Sequence, residues 1–319
     1  MNVLITGVAG FIGFSCAKKL IQKNIKVIGI DNFDNYYSIR LKKKRIEILN
    51  RNKNFQFKKI DIRKKSELSK IKKIKFSHVL HFAAQAGVRY SLLNPKKYYD
   101  TNVKGFINTV EILDKSNLKK FIYASSSSVY GNQKKFPVSE NAKLNSKNPY
   151  GRSKISNEKI SKKYSKFMKT KFIGLRLFTV YGEWGRPDMF IIKLLNSIKK
   201  KKTFYLNNNG NHYRDFTYIE DITNACYGLI KHNFKKQNAI FNICAGQRVN
   251  IKELSRKIIN KNLNAKIVTI PANKADVYQT FGNNKKIVKE LKIKKFININ
   301  IGLKKTIQWF NKNKIYKLI

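Results

Sequence analysis

A tyrosine and a lysine four residues apart, in Pro149-Tyr150-Gly151-Arg152-Ser153-Lys154, are the residues of this chain best suited to proton transfer. On a helix, positions i and i+4 share a face, one turn apart. An ammonium held there favours the phenolate, and a tyrosine with a lowered pKa is a usable general base near neutral pH. Spacing alone does not establish this. In a lysine-rich chain it also fits a surface tyrosine on an ordinary helix, and Tyr36 to Arg40 is a near repeat.

A second constellation lies at the start of the chain. The apolar run Val3-Leu4-Ile5-Thr6 leads into Gly7-x-x-Gly10-x-x-Gly13, a helical pattern beginning at Phe11-Ile12, and a second apolar run, Val27 to Ile30, that ends in Asp31-Asn32. Strand, glycine turn, helix, strand and acid within about thirty residues is the context a dinucleotide-binding loop requires. One glycine permits the tight turn, one lets a pyrophosphate approach the backbone, and one brings helix and strand together. The helix N-terminus offers free N–H groups to phosphate. Asp31 would accept hydrogen bonds from ribose hydroxyls, which favours NAD over NADP.

The elements that must position these residues repeat one rhythm. Phe55 to Ile60, Val79 to Ala84, Phe121 to Ala124 and Phe172 to Leu177 read as buried strands. Tyr98 to Asn117 and Asn148 to Phe167 read as helices, the second opened by Pro149. Alternating strands and helices with apolar strand cores predict an α/β fold with a parallel, doubly wound sheet. After Thr179 the rhythm gives way to loops at Tyr181–Asp188 and Asn207–Tyr218. A helix at Ile222–Lys231 and a strand at Ile240–Cys244 then return to the sheet. The expected division is a nucleotide-binding domain over 1–180, rejoined by 217–245, and a smaller interleaved lobe over 181–216 and 246–319.

Composition bounds the rest. A chain of 319 residues can bury a large core. No run approaches the ~18 apolar residues of a membrane span. The start, Met1-Asn2-Val3, lacks the basic residues of a signal peptide. Cys16, Cys226 and Cys244 form no C-x-x-C pair, which argues against a zinc site or disulfide framework and suits a cytoplasmic protein. His78 and His81 stand three apart on a strand, face opposite sides and cannot share a metal. They read as structural, His212 and His232 as loop or surface residues, and Phe55 and Phe57 as core. The net charge of +50 would suit a nucleic-acid binder. Only 11 of the 68 basic residues are arginine, however, and the lysines are spread evenly without a nucleic-acid motif, which points to compositional bias.

With the glycine loop, the Tyr150/Lys154 pair and Ser125-Ser126-Ser127-Ser128-Val129-Tyr130-Gly131 together, the chain resembles the extended short-chain dehydrogenase/reductases, the nucleotide-sugar epimerases and dehydratases. The resemblance spans essentially the whole length. It implies a Rossmann-type fold with a C-terminal substrate lobe, NAD as cofactor, a UDP-sugar substrate and a homodimer formed through the two long helices. It implies Tyr150 as base, Lys154 as its partner on the nicotinamide ribose, and Ser126 as the catalytic hydroxyl. Asp61-Ile62 would flank the adenine, and Phe82-Ala83-Ala84 would line the dinucleotide.

Ser127 and Ser128 occupy places where dehydratases carry an Asp-Glu pair, and decarboxylases usually have glutamate at the Ser128 position. The segment Leu177 to Met189 (LFTVYGEWGRPDM) resembles that of UDP-glucuronate 4-epimerases, with Glu183 in place of proline. So do Ala84 to Ser91, Arg214 to Asp221 and Asp31 to Tyr37. A uronate carboxylate suits bidentate arginine, and Arg89 and Arg186 follow predicted strands, where α/β folds bind ligands. Thr179 and Ser127 would join them, with Arg214 on the diphosphate. Asp276 stands in Asn273-Lys274-Ala275-Asp276-Val277, which departs from the family's Pro-Gly-Asp-Val. Two other readings stay open: a 4-epimerase of neutral UDP-hexoses, and a non-catalytic NAD- or polyanion-binding protein on the same fold.

Overall fold

A computed structural model describes residues 1–113, 118–259, 266–272 and 277–319. The strands are β1 (Asn2–Thr6), β2 (Lys26–Asp31), β3 (Phe55–Lys59), β4 (His78–His81), β5 (Lys120–Ser126), β6 (Lys171–Leu177), β7 (Thr179–Tyr181), β8 (Phe204–Asn207), β9 (Tyr213–Arg214), β10 (Phe216–Tyr218), β11 (Asn238–Ile243), β12 (Val249–Asn250) and β13 (Ile267–Ile270). The helices that matter below are α1 (Phe11–Gln22), α2 (Ile39–Asn50), α3 (Val88–Leu93), α4 (Pro95–Tyr98), α5 (Gly105–Leu113), α6 (Pro149–Tyr164), α7 (Phe190–Lys199), α8 (Ile219–Lys231) and α9 (Ile299–Lys312).

Seven strands form one sheet in the order β11-β6-β5-β4-β1-β2-β3, and every pairing is parallel. Val3, Leu4 and Ile5 of β1 are fully buried, as a strand covered on both faces requires. The direction of winding reverses between β1 and β4. Ligands of such sheets bind at that switch point, beyond the carboxyl ends of the strands. Strand β11 pairs with β6 and so returns to the main sheet. The rest of the C-terminal half is built of two-stranded pieces, β10 with β7, β12 with β9 and β13 with β8. The segment expected to be loop over 207–218 thus contains two short strands.

Two further expectations are modified. β4 ends at His81 rather than Ala84. Its last rung is the Phe82 N–H on the Thr6 carbonyl (3.1 Å), and the Ala83 N–H then turns to the Thr6 hydroxyl (3.1 Å). The helix expected over Tyr98–Asn117 is broken by a π-helical turn at Tyr99–Lys104 between α4 and α5, and 114–117 lie outside the described residues. Such turns often mark functional sites. Here the turn presents Asn102, which accepts from the Gln85 N–H (2.7 Å) and donates to the Ser153 hydroxyl (2.9 Å), tying a cavity loop to α6.

Candidate active site

Gly7 has φ +70, and a Cβ there would lie 2.6 Å from the Ala83 backbone nitrogen. A Cβ at Gly13 would meet the Gly7 carbonyl at 2.3 Å. The loop therefore admits no side chain at either place, and it sets the start of α1 against β1. Gly10 caps α1 without a side chain, so no side chain competes for the first N–H groups. Asp31, at the end of β2, accepts from the N–H groups of Ala9 (3.0 Å) and Phe33 (2.8 Å). Burial pushes its carboxyl up, against the nearby Lys42 ammonium and those two bonds.

This loop forms one end of a cavity of about 730 Å³. Gly7, Gly10, Phe11, Ile12, Gly13, Asp31, Asn32, Ile62, Phe82, Ala83 and Ala84 line that end. Ser126, Ser127, Tyr150, Lys154, Thr179, Arg89, Arg186 and Arg214 line the remainder. Asp61 is not in the lining: its carboxylate is held by Arg63 (2.5 Å) and Asn32 (3.2 Å). Asp276 lies outside the described residues. The glycine cradle, the uncapped helix start and the acid at the end of β2 fit a dinucleotide.

Between the two ends stands Tyr150. Asn148 caps α6 by accepting from the Gly151 N–H (2.8 Å), and Pro149 occupies the first turn, so Tyr150 is fixed at the mouth of the helix. Ser126, at the end of β5, lies near enough to the phenol to act on its titration, and its hydroxyl accepts from the Ser128 N–H (3.1 Å). Burial raises the Tyr150 pKa, and the groups that work against it are Ser126 and the charge of Arg186. The sequence had assigned that work to Lys154. Lys154 lies one turn further along α6, its Nζ 6.0 Å from the tyrosine ring centre, and it donates to the Ala124 carbonyl (2.8 Å). Burial brings its ammonium down to about 8. Behind the pair, Glu158 accepts from Ser125 (2.6 Å) and from Arg176 (2.8 and 2.9 Å), locking α6 to β5 and β6.

Arg186 is not waiting in open solvent. Its guanidinium grips Asp188 in a two-point pair (3.0 and 2.5 Å), and the Tyr36 hydroxyl donates to the same carboxylate (3.2 Å). Burial opposes its charge, yet Asp188 more than offsets this and holds the pKa above the ordinary arginine value. Arg89 is exposed in the first turn of α3. Arg214 donates to the carbonyls of Tyr213 (2.8 Å) and Tyr278 (3.1 Å). Glu183, where the resembling segment has proline, accepts from the Tyr218 hydroxyl (2.5 Å).

Sequence reading missed Lys42, Lys193, Phe204, Tyr205 and Thr280, which also line the cavity, and the partners Asp188 and Tyr36. For Lys42 a signal existed: with Arg45 it occupies the stripe of α2 otherwise held by Leu41, Ile46 and Leu49. His212 lies in a loop, as expected, but is buried there. His81 is buried against Phe106 and Phe121, and desolvation and Lys154 bring it down to about 3, so it stays neutral. Among the described residues no group of three or more His, Cys, Asp or Glu is placed to hold a metal, and no helix is long and apolar enough to cross a membrane.

A parallel sheet with a nucleotide loop at its switch point and a serine, tyrosine and lysine beside it defines a dinucleotide-dependent enzyme class. Residues 3–244 match the model of the NAD dependent epimerase/dehydratase family, and the chain belongs to that family. UDP-glucuronate 4-epimerase from Thermodesulfobacterium geofontis is 36% identical over 97% of this chain and 96% of its own. The crystal structure of UDP-glucuronic acid 4-epimerase from Bacillus cereus, in complex with UDP-glucuronic acid and NAD, superposes with a TM-score of 0.90 at 30% identity, over 98% of this chain and all of that one. UDP-glucose 4-epimerase from Thermotoga maritima, with UDP-glucose, gives 0.89 at 28% identity over the same shares.

Proposed function

We propose that the protein interconverts UDP-glucuronate and UDP-galacturonate by inverting C4 of the sugar. The observation that carries this reading is Arg186. It is oriented by Asp188 and Tyr36 and lies close enough to Tyr150 for its charge to act on the phenol. A sugar whose C4 hydroxyl meets Tyr150 would place its C5 carboxylate toward that guanidinium, a strong charge-assisted contact. The relatives that act on UDP-glucuronate, similar over nearly the whole chain, support it.

Tyr150, as phenolate, takes the proton of the C4 hydroxyl, while Ser126 hydrogen-bonds to the same oxygen. Lys154 holds a positive charge beside them and, with NAD bound, would be the residue to hold the nicotinamide ribose. The chemistry that bound NAD would supply is reversible hydride acceptance at C4. Arg89, Arg186, Thr179 and Ser127 hold the carboxylate in one orientation. This suppresses loss of CO2 from the 4-keto sugar, a β-keto acid. Arg214, with Lys193 and Tyr205, takes the UDP in the lobe formed by 181–216 and 246–319, while 1–180 and 217–245 hold the cofactor. Asp276, by its place in the segment, joins the nucleotide side. The protein works in the cytosol as a homodimer, through the face that carries exposed Leu92, Leu93 and Tyr99. NMR of purified protein incubated with UDP-glucuronate is expected to show UDP-galacturonate accumulating to equilibrium; absence of that product sinks the proposal.

A second reading has one observation in its favour. Because Asp188 already pairs Arg186, a uronate must share the guanidinium, whereas a neutral hexose need not. Faster turnover of UDP-glucose than of UDP-glucuronate would decide for it.

A further inference from the structure

Arg45 of α2 is completely buried. Taking a guanidinium out of water costs several kcal/mol unless its surroundings compensate. Its Nη1 donates to the Ala9 carbonyl (2.8 Å) and the Tyr37 hydroxyl (2.8 Å). Its Nη2 donates to the Trp184 carbonyl (2.6 Å), with the Gly185 carbonyl further off (3.5 Å). All four acceptors are uncharged, and Nε is buried without a partner. A buried charge so arranged is a costly way to gain stability, but it joins two segments far apart in sequence. Ala9 lies between Gly7 and Gly10, with its own N–H held by Asp31. Trp184 stands two residues before Arg186, in left-handed backbone (φ 61) that a non-glycine residue seldom adopts. Its ring lies against Phe14 of α1 (5.3 Å), a second link between the same segments, and against Trp309 of α9 (5.4 Å).

We propose that Arg45 is a positioning residue that couples the dinucleotide loop to the substrate loop. Its fork fixes the Ala9 and Trp184 carbonyls at one separation. Ordering of the Gly7–Gly13 loop by a dinucleotide therefore orders residues 182–185 and sets the direction from which Arg186 enters the cavity. A lysine, as a point donor, reaches one loop and not both. The consequence for a uronate substrate rests on the function proposed above; the coupling between the loops does not.

Hydrogen exchange on the full chain, with and without NAD, tests the coupling. In the wild type, NAD slows exchange in 182–185 by about tenfold, in the range of ordinary coupling between sites. In Arg45→Lys, NAD still slows exchange in 7–13, but its effect on 182–185 falls below about twofold. Arg45→Lys also raises KM for UDP-glucuronate by roughly 10- to 100-fold with kcat nearly unchanged, because the arginine that receives the carboxylate is misdirected. NAD-dependent protection of 182–185 that is absent from the wild type, or that survives in Arg45→Lys, overturns the proposal. Should Arg45→Lys fail to fold, Arg45→Gln, which likewise cannot reach both the Ala9 and Trp184 carbonyls, is judged by the same exchange: weakened coupling supports the assignment and full coupling overturns it. If the wild type does not turn over UDP-glucuronate, the substrate reading falls and the exchange arm still decides the role of Arg45.

Discussion

At Gly7 the cavity wall is backbone; at Arg186, further along the same cavity, it is one side chain held by two others. The glycine loop has its shape because no Cβ fits at Gly7 or Gly13, and Asp31 adds hydrogen bonds to the Ala9 and Phe33 amides. The Arg186 end depends on a two-point grip on Asp188 and a hydroxyl from Tyr36, which arrives from a segment 150 residues away in sequence. A backbone site tolerates almost no substitution and accepts one kind of ligand. A side-chain site can be retuned by single changes.

The sharpest way to separate the two ends is to remove the base between them. Tyr150→Phe lowers turnover by about 10³-fold, the usual range for a general acid or base, while NAD stays bound; rate assays and the cofactor content of the purified protein check this. Gly7→Ala breaks the backbone end. The strained backbone alone costs about 1–3 kcal/mol, before the clash with Ala83, and NAD affinity falls by at least about tenfold, as titration calorimetry would show.

Arg186→Gln breaks the other end. It raises KM for UDP-glucuronate by roughly 10- to 100-fold, the worth of a charge-assisted hydrogen bond, and leaves NAD affinity unaltered. A KM that does not move would mean that Arg186 does not meet the carboxylate.

Titration of Lys154 tests the junction. Its folded pKa, about 8, lies below the 10.5 of an ordinary lysine. Between those values the unfolded chain binds more protons than the folded one, so this group makes stability rise with pH across that window. Over the same interval the ammonium is lost and NAD affinity falls. Opposite trends in urea unfolding and in NAD binding, both abolished in Lys154→Met, are the expected signature. The smallest effect belongs to Glu183→Ala, which removes the bond from Tyr218 and costs about 1 kcal/mol with unchanged kinetics, as a thermal melt and a rate assay would register.

The same contrast explains what could be read in advance. That the glycine loop, Asp31 and the Tyr150/Lys154 pair line one cavity was legible because these residue types stand at fixed local spacing. The sheet was legible because β1, β5 and β6 are built around apolar runs at 3–5, 121–124 and 172–175. Tyr36 was not, since a side chain's partner across 152 positions leaves no local trace. Arg186 could be placed at the cavity from its segment, but its action on Tyr150 depends on where two loops meet. The π turn at Tyr99–Lys104 was missed because an insertion in a helix leaves its apolar spacing almost intact. Arg45 had a visible signal, a cation in an apolar stripe, that a lysine-rich helix obscures.

The central claim is that the side-chain end of this cavity selects a charged sugar. The direct measurement is kcat/KM for UDP-glucuronate against UDP-glucose in one preparation of the NAD-loaded enzyme. The account predicts a preference for UDP-glucuronate of at least about 100-fold, most of it lost in Arg186→Gln. Equal values, or a preference for UDP-glucose, would contradict it.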